Sequence, residues 1–194
     1  VASGTGTTGY RRNTVVWTIG HSTRPTTAFI GLLREHAIQL VIDVRSVPRS
    51  RHSPQYNLET FPTTLSAEGI GYEHATALGG FRRARKDSVN KAWRNEAFRG
   101  YADYMGTEEF REGLRGLIDR AERERTVIMC AESLPWRCHR SLIADALIAS
   151  GFEVRHIIGP GKVTMHGLTP WAAVRDGRIT YPATLSDFDT GKEQ

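Results

Sequence analysis

Short apolar runs alternate along this chain with longer segments in which apolar residues recur every three or four positions. Val15-Val16-Trp17-Thr18-Ile19, Leu40-Val41-Ile42-Asp43-Val44 and Val127-Ile128-Met129 belong to the first kind. An apolar run bounded by polar turns predicts a strand covered on both faces, as in a parallel sheet. Residues 26–36, opened by Pro25 and carrying Phe29, Leu32 and Leu33, have the spacing of a helix, as do 96–105, 108–125 and 141–148. In 108–125 the residues Phe110, Leu114, Leu117 and Ile118 share one face. Gly71-Tyr72-Glu73-His74 predicts a short third strand, and Phe152 to Ile158, after the stop at Gly151, a last core strand. Residues 57–68 suit a helix, with Pro62 disturbing its first half.

Strand and helix in alternation specify an α/β domain: three layers, a largely parallel sheet with helices on both faces, rhodanese-like or Rossmann-like in broad architecture. A chain of 194 residues with 39% apolar content fills one core of this kind. Residues 14–182 are therefore expected to form a single domain, between an N-terminal tail at 1–13 and a C-terminal tail at 183–194. Residues 81–95 are charged and poor in aliphatics, which suggests a solvated excursion or a lid, with Gly79 and Gly80 as hinges.

Composition narrows the setting. No run of eighteen apolar residues is present, and residues 1–13 are Gly/Thr-rich rather than signal-like, so a cytoplasmic chain away from membranes is expected. Two cysteines eight positions apart make no secreted disulfide framework. A formal charge of +5 favours an anionic partner, a nucleic acid or a phosphorylated small molecule. No GxGxxG or Walker loop is present, which disfavours dinucleotide cofactors and P-loop chemistry.

Candidate chemistry gathers where predicted strands end, because ligands of parallel sheets bind beyond the carboxyl ends of the strands. The first strand leads into Gly20-His21-Ser22, the second into a basic loop with Arg45, Arg49 and Arg51, and the strand at 127–129 into Cys130-Ala131-Glu132 through Cys138-His139-Arg140. Arg45, Arg49, Arg51, Arg137 and Arg140, with Ser22 and Tyr72, are candidate substrate ligands, the guanidinium groups suiting bidentate phosphate binding. Glu132 with His21 or His74 offers general base and acid for hydrolysis. Cys130 is a candidate nucleophile, and its loop resembles the thiolate loops of sulfurtransferases and cysteine phosphatases, although Glu132 and Pro135 replace a Gly-rich cradle. A metal is not favoured, since no CxxC pair exists; a divalent ion, if bound, falls to Cys130, Cys138 and His139.

Four ordered motifs together carry a family resemblance: Thr18-Ile19-Gly20-His21-Ser22, Asp43 to Arg51, Leu78-Gly79-Gly80, and Met129-Cys130-Ala131-Glu132 through Cys138-His139-Arg140. Over about residues 15–160 the chain resembles the bacterial domain-of-unknown-function 488 family. The resemblance implies a shared fold and brings no activity with it. The functional expectation therefore rests on the residues: an enzyme that cleaves a nucleic acid or other phosphorylated substrate hydrolytically in an arginine-rich pocket. The alternatives are thiol-dependent sulfur or phosphoryl transfer at Cys130, and a non-catalytic nucleic-acid-binding module. Tyr56, Tyr72, Phe81, Trp93 and Trp136, interspersed with Arg82, Arg83, Arg85, Lys86, Lys91 and Arg94, suit base stacking in any of these. Oligomeric state is not legible in the chain.

Overall fold

The computed structural model describes residues 14–183, so the tail expected at 1–13, and all but the first residue of the tail expected at 183–194, lie outside the described residues. Six strands form one sheet in the order β3-β2-β4-β1-β5-β6. β1 (Val15–Gly20), β2 (Leu40–Asp43), β3 (Gly71–His74), β4 (Thr126–Cys130) and β5 (Glu153–Gly159) run parallel, and β6 (Lys162–Met165) returns antiparallel to β5 at one edge. The fold is the expected α/β arrangement with a largely parallel sheet. Residue alternation splits the core in two. Val16, Leu40, Ile42, Val44, Ile128 and Val154 pack with α3 (Glu96–Met105), α4 (Glu108–Ala121) and α5 (Arg140–Ala149). Trp17, Ile19, Val41, Val127, Met129 and Ile157 pack on the opposite face with α1 (Thr26–Glu35) and α2 (Phe61–Ser66). Successive residues of each central strand thus meet different helices, and this explains why the strands read as apolar runs.

β5 is not the last strand. Its return as β6 is followed by a two-stranded antiparallel ribbon, β7 (Ala173–Arg175) and β8 (Arg178–Thr180). These strands are short and half exposed, so they carry no apolar run to announce them. The segment expected as a helix at 57–68 forms only α2, with Pro62 in its first turn, where a missing N–H costs nothing; Pro54 to Tyr56 makes a 3-10 turn before it. The charged 81–95 segment has no regular structure yet is held in place. Asp103 on α3 accepts from the Ser88 hydroxyl at 2.6 Å, from Asn90 Nδ2 at 2.7 Å and from the Arg85 backbone N–H at 2.8 Å, and Asn90 Oδ1 accepts from the Tyr181 N–H at 2.8 Å.

Adjacent β1 and β4 send their chains to opposite faces, β1 into α1 and β4 into α5. Where neighbouring strands diverge in this way, a crevice opens above their carboxyl ends. No helix among the described residues is long and apolar enough to cross a membrane.

Candidate functional site

The crevice holds residues from the loops that follow β1, β2, β3 and β4. One lobe, of about 310 Å³, is lined by Arg45, Ser46, Val47, Gly80, Phe81 and Phe98 together with Cys130, Glu132, Arg137, Cys138 and His139. A second lobe, of about 450 Å³, is lined by His21, Ser22, Thr23, Arg49, Ser50 and Ser53, and shares Arg45, Val47, Cys130 and Glu132 with the first.

Beneath the second lobe lies a closed polar network. Asp43 and Arg45, both buried, lie two positions apart at the end of β2 and hence on one side of the strand. The Arg45 guanidinium donates Nε and Nη2 to the Asp43 carboxylate, at 2.6 Å for the shortest contact, and Nη2 donates to the Tyr56 carbonyl at 2.7 Å. The Tyr72 hydroxyl donates to Asp43 Oδ2 at 2.8 Å. Burial, and then the Asp43 charge, push the Tyr72 phenol upward. A buried ion pair with its remaining lone pairs satisfied is a positioning device, and Arg45 is committed to it rather than free for a phosphate.

His21 stacks on Tyr56 with ring centroids 4.2 Å apart, and Tyr56 in turn sits among Phe29 and Phe61. Its Nδ1 donates to the Ser22 carbonyl at 2.7 Å, which leaves the Nε2 lone pair toward Arg45 Nη1 at 3.3 Å. Burial, aided by the Arg45 charge, lowers its pKa from 6.5 to about 4, so the ring is neutral. His74 Nε2 donates to the Arg45 carbonyl at 2.7 Å and fastens β3 to the β2 exit. Among the other candidates, Arg49 pairs with Glu59 at 3.0 Å on the surface, and Arg51 is exposed and lines neither lobe. Arg137 lines the first lobe and makes no ion pair among the described residues. Glu132 lines both lobes, its carboxylate accepting from Ser133 Oγ at 3.3 Å.

The floor of the first lobe is the thiol pair. Cys130 ends β4 and Cys138 precedes the N-terminus of α5; both are buried and unbridged. His139 Nε2 donates to the Val44 carbonyl at 3.0 Å, so the Nδ1 lone pair faces Cys138 Sγ, 3.6 Å away. A carbonyl that fixes the imidazole tautomer, an imidazole that faces a thiol, and a thiol that lines a cleft meet the geometric requirement for an activated nucleophile. The hydrogen bond from Cys130 draws the Cys138 thiol down, with help from His139 and Arg140, while the same bond and burial hold Cys130 up. Close packing leaves no room for a side chain at Gly79 or Gly80: a Cβ on Gly80 would lie 2.5 Å from His139 Nδ1, and one on Gly79 2.8 Å from Ser46 Oγ. The two sulfurs and a ring nitrogen of His139 all lie within 4.8 Å of one another, a donor set suited to a soft cation such as zinc with one position open to the cleft.

A family model described as a domain of unknown function, DUF488, matches residues 25–147, which span β2, β3, β4, both cysteines and α1 through most of α5. The chain belongs to the DUF488 family. No curated protein and no solved structure matches it. The DUF488 match includes the whole thiol floor and excludes β1 with His21.

Sequence reasoning placed Arg140 among substrate ligands of this DUF488 chain; the structure places it 1% exposed beneath the floor. Its Nη1 donates to Thr18 Oγ1 at 3.2 Å and Nη2 to the Glu132 carbonyl. Thr18 donates to His156 Nδ1 at 2.8 Å, His156 Nε2 to His166 Nδ1 at 3.0 Å, and His166 Nε2 to Asp145 Oδ1 at 2.9 Å. Thr18, His156 and His166 each both accept and donate, so one directed row of hydrogen bonds connects the buried guanidinium to the buried carboxylate. Tyr181 and the Thr169 N–H complete Asp145, each at 2.8 to 2.9 Å. Asp145, His166 and Tyr181 were not singled out from the sequence. The available signal was a carboxylate in the apolar Leu142 to Ile148 run, since a fully buried aspartate requires partners.

Proposed function

We propose that the protein catalyses group transfer from an anionic substrate through a covalent intermediate on Cys138. The observation that carries this reading is the orientation of His139, whose unprotonated Nδ1 faces the Cys138 sulfur because Nε2 is held by the Val44 carbonyl. The α5 N-terminus beside Cys138 and the donated Cys130 proton both favour the thiolate. In the first step the Cys138 thiolate bonds to the electrophilic phosphorus or sulfane sulfur. The bond to the leaving group breaks, and that group departs with its electron pair and the proton that His139 took from the thiol. In the second step water takes a phosphoryl group, or a second thiol takes a sulfane sulfur; His139 removes the acceptor's proton, and the bond to Cys138 breaks to restore the thiolate. Arg137, which lines the cleft and has no ion pair among the described residues, supports an anionic substrate. Hydrolysis by Glu132 with His21 or His74 is less well supported, because both His21 nitrogens are engaged and His74 lines neither lobe of the cleft.

The test follows turnover of p-nitrophenyl phosphate and of thiosulfate with cyanide, together with intact-mass detection of the adduct. Cys138→Ser is expected to abolish turnover and adduct on whichever probe is accepted, His139→Asn to slow turnover about a hundredfold, and Cys130→Ser to leave the adduct detectable. Wild-type turnover by Cys138→Ser would refute the reading. The close sulfur and nitrogen donors favour one competing account, a bound soft cation. Stoichiometric zinc in the purified protein, lost in both Cys→Ser variants, would replace the thiol nucleophile with a metal centre.

A further inference from the structure

On the other side of the Pro135 to Cys138 segment lies a second pocket of about 440 Å³, separate from the cleft. Its walls include Trp93, Trp136, Trp171 and Met165, and its polar edge includes Ser141, Thr164 and the paired rings of His156 and His166. We infer that this pocket binds a planar, uncharged heteroaromatic ring of nucleobase size.

Three observations lead there. Trp136, Met165 and Trp171 are 62%, 68% and 46% exposed, so three large apolar side chains surround one depression instead of being scattered, an arrangement that a bound ring would cover. Trp93 and Trp171 meet edge to face with centroids 5.4 Å apart, and Trp93 is fixed from behind by Phe98 and Tyr181. Two nearly perpendicular indoles held in place offer one face for stacking and one edge for contact. The lining contains no Lys, Arg, Asp or Glu, and the His156 and His166 nitrogens are spent on Thr18, Asp145 and each other, so the pocket offers neither a counter-ion for an anion nor a carboxylate for a cation. Uncharged planar aromatic ligands satisfy all three, with the Thr164 and Ser141 edge beside the ring, and nucleobases are the class of that kind that the net positive charge of +5 would accompany on a phosphate-bearing chain.

The test is equilibrium dialysis of radiolabelled adenosine against the full chain, with unlabelled ribose, tetramethylammonium and a short oligodeoxyadenylate as competitors. Adenosine is expected to bind saturably, to resist displacement by ribose and tetramethylammonium, and to bind about tenfold more weakly to Trp136→Ala and to Trp171→Ala. Trp136 is exposed enough that its removal leaves the core intact, which circular dichroism would verify. An oligodeoxyadenylate that competes better per nucleotide than adenosine assigns the ring to a nucleic acid strand, and equal competition assigns it to a free nucleoside; both keep the inference. Absence of saturable adenosine binding, displacement by tetramethylammonium, or full affinity in both Trp variants would overturn it. The readout is binding without turnover, so it stands or falls separately from group transfer at Cys138.

Discussion

Mild acid should destabilise this protein through two histidines that the fold keeps neutral. His21 and His156 are 3% and 5% exposed. Burial is the main cause of the lowered pKa in both, from 6.5 to about 4 for His21 and to about 3 for His156, with Arg45 and Arg140 near the first and His166 and Arg140 near the second. Because the unfolded rings bind a proton at higher pH than the folded ones, the unfolded state gains protons first as pH falls. The stabilisation is complete above about pH 6.5 and is lost progressively toward the folded values. At about pH 5 each ring forfeits roughly 2 kcal/mol, or roughly 4 kcal/mol together, a large share of the stability of an ordinary domain. Urea unfolding at constant ionic strength, from about pH 7.5 to about pH 5, measures the loss directly. His21→Asn, which keeps a donor for the Ser22 carbonyl, should remove about half of it. An equally steep loss in wild type and variant would refute the assignment to His21, and a flat wild-type profile would refute the reasoning for both rings.

Three further outcomes follow from contacts in the site. Gly80→Ala should displace His139 and cost about 1–3 kcal/mol, with slower alkylation of Cys138 by iodoacetamide; unchanged stability and kinetics would show that the ring does not depend on that approach. Asp43→Asn should leave the Arg45 cation buried without its partner and cost about 3–5 kcal/mol, read as a lowered Tm, whereas a Tm near wild type would mean that the network carries little stability. Tyr181→Phe removes a donor from the buried Asp145 carboxylate and should cost about 1–3 kcal/mol; chemical denaturation measures it, and a neutral result would mean that Thr169 and His166 satisfy Asp145 unaided.

The central strands were legible because their burial on both faces removes every polar alternative, leaving runs such as Leu40-Val41-Ile42. The edge strands β6 to β8 were not, since half-exposed strands of three or four residues have the composition of a loop. The loops that form the cleft were readable for the same topological reason as the strands they follow. Individual roles were harder. Arg45 and Arg137 look alike in sequence, and only the face that Arg45 shares with Asp43 separates a neutralised guanidinium from one with no ion pair among the described residues. His139 gains its role from the Val44 carbonyl, 95 positions away, and adjacency to Cys138 in sequence gives no hint of which nitrogen faces the sulfur. His166 and Asp145 are 21 positions apart and meet only because β6 returns alongside β5.

The directed row from Arg140 to Asp145 sets a boundary condition on relatives of this chain. Both charges lie within residues 25–147, the span that matches the family, but Thr18 precedes that span, and His156, His166 and Tyr181 follow it. The matched span of this chain therefore contains two buried, opposite charges and, beyond the Glu132 carbonyl that takes one Arg140 N–H, none of the groups that link them here. A relative that retains both charges but differs in the flanking segments has to supply other intermediaries, and exchanging β5 to β8 between two such relatives should break an electrostatic unit that each parent keeps whole.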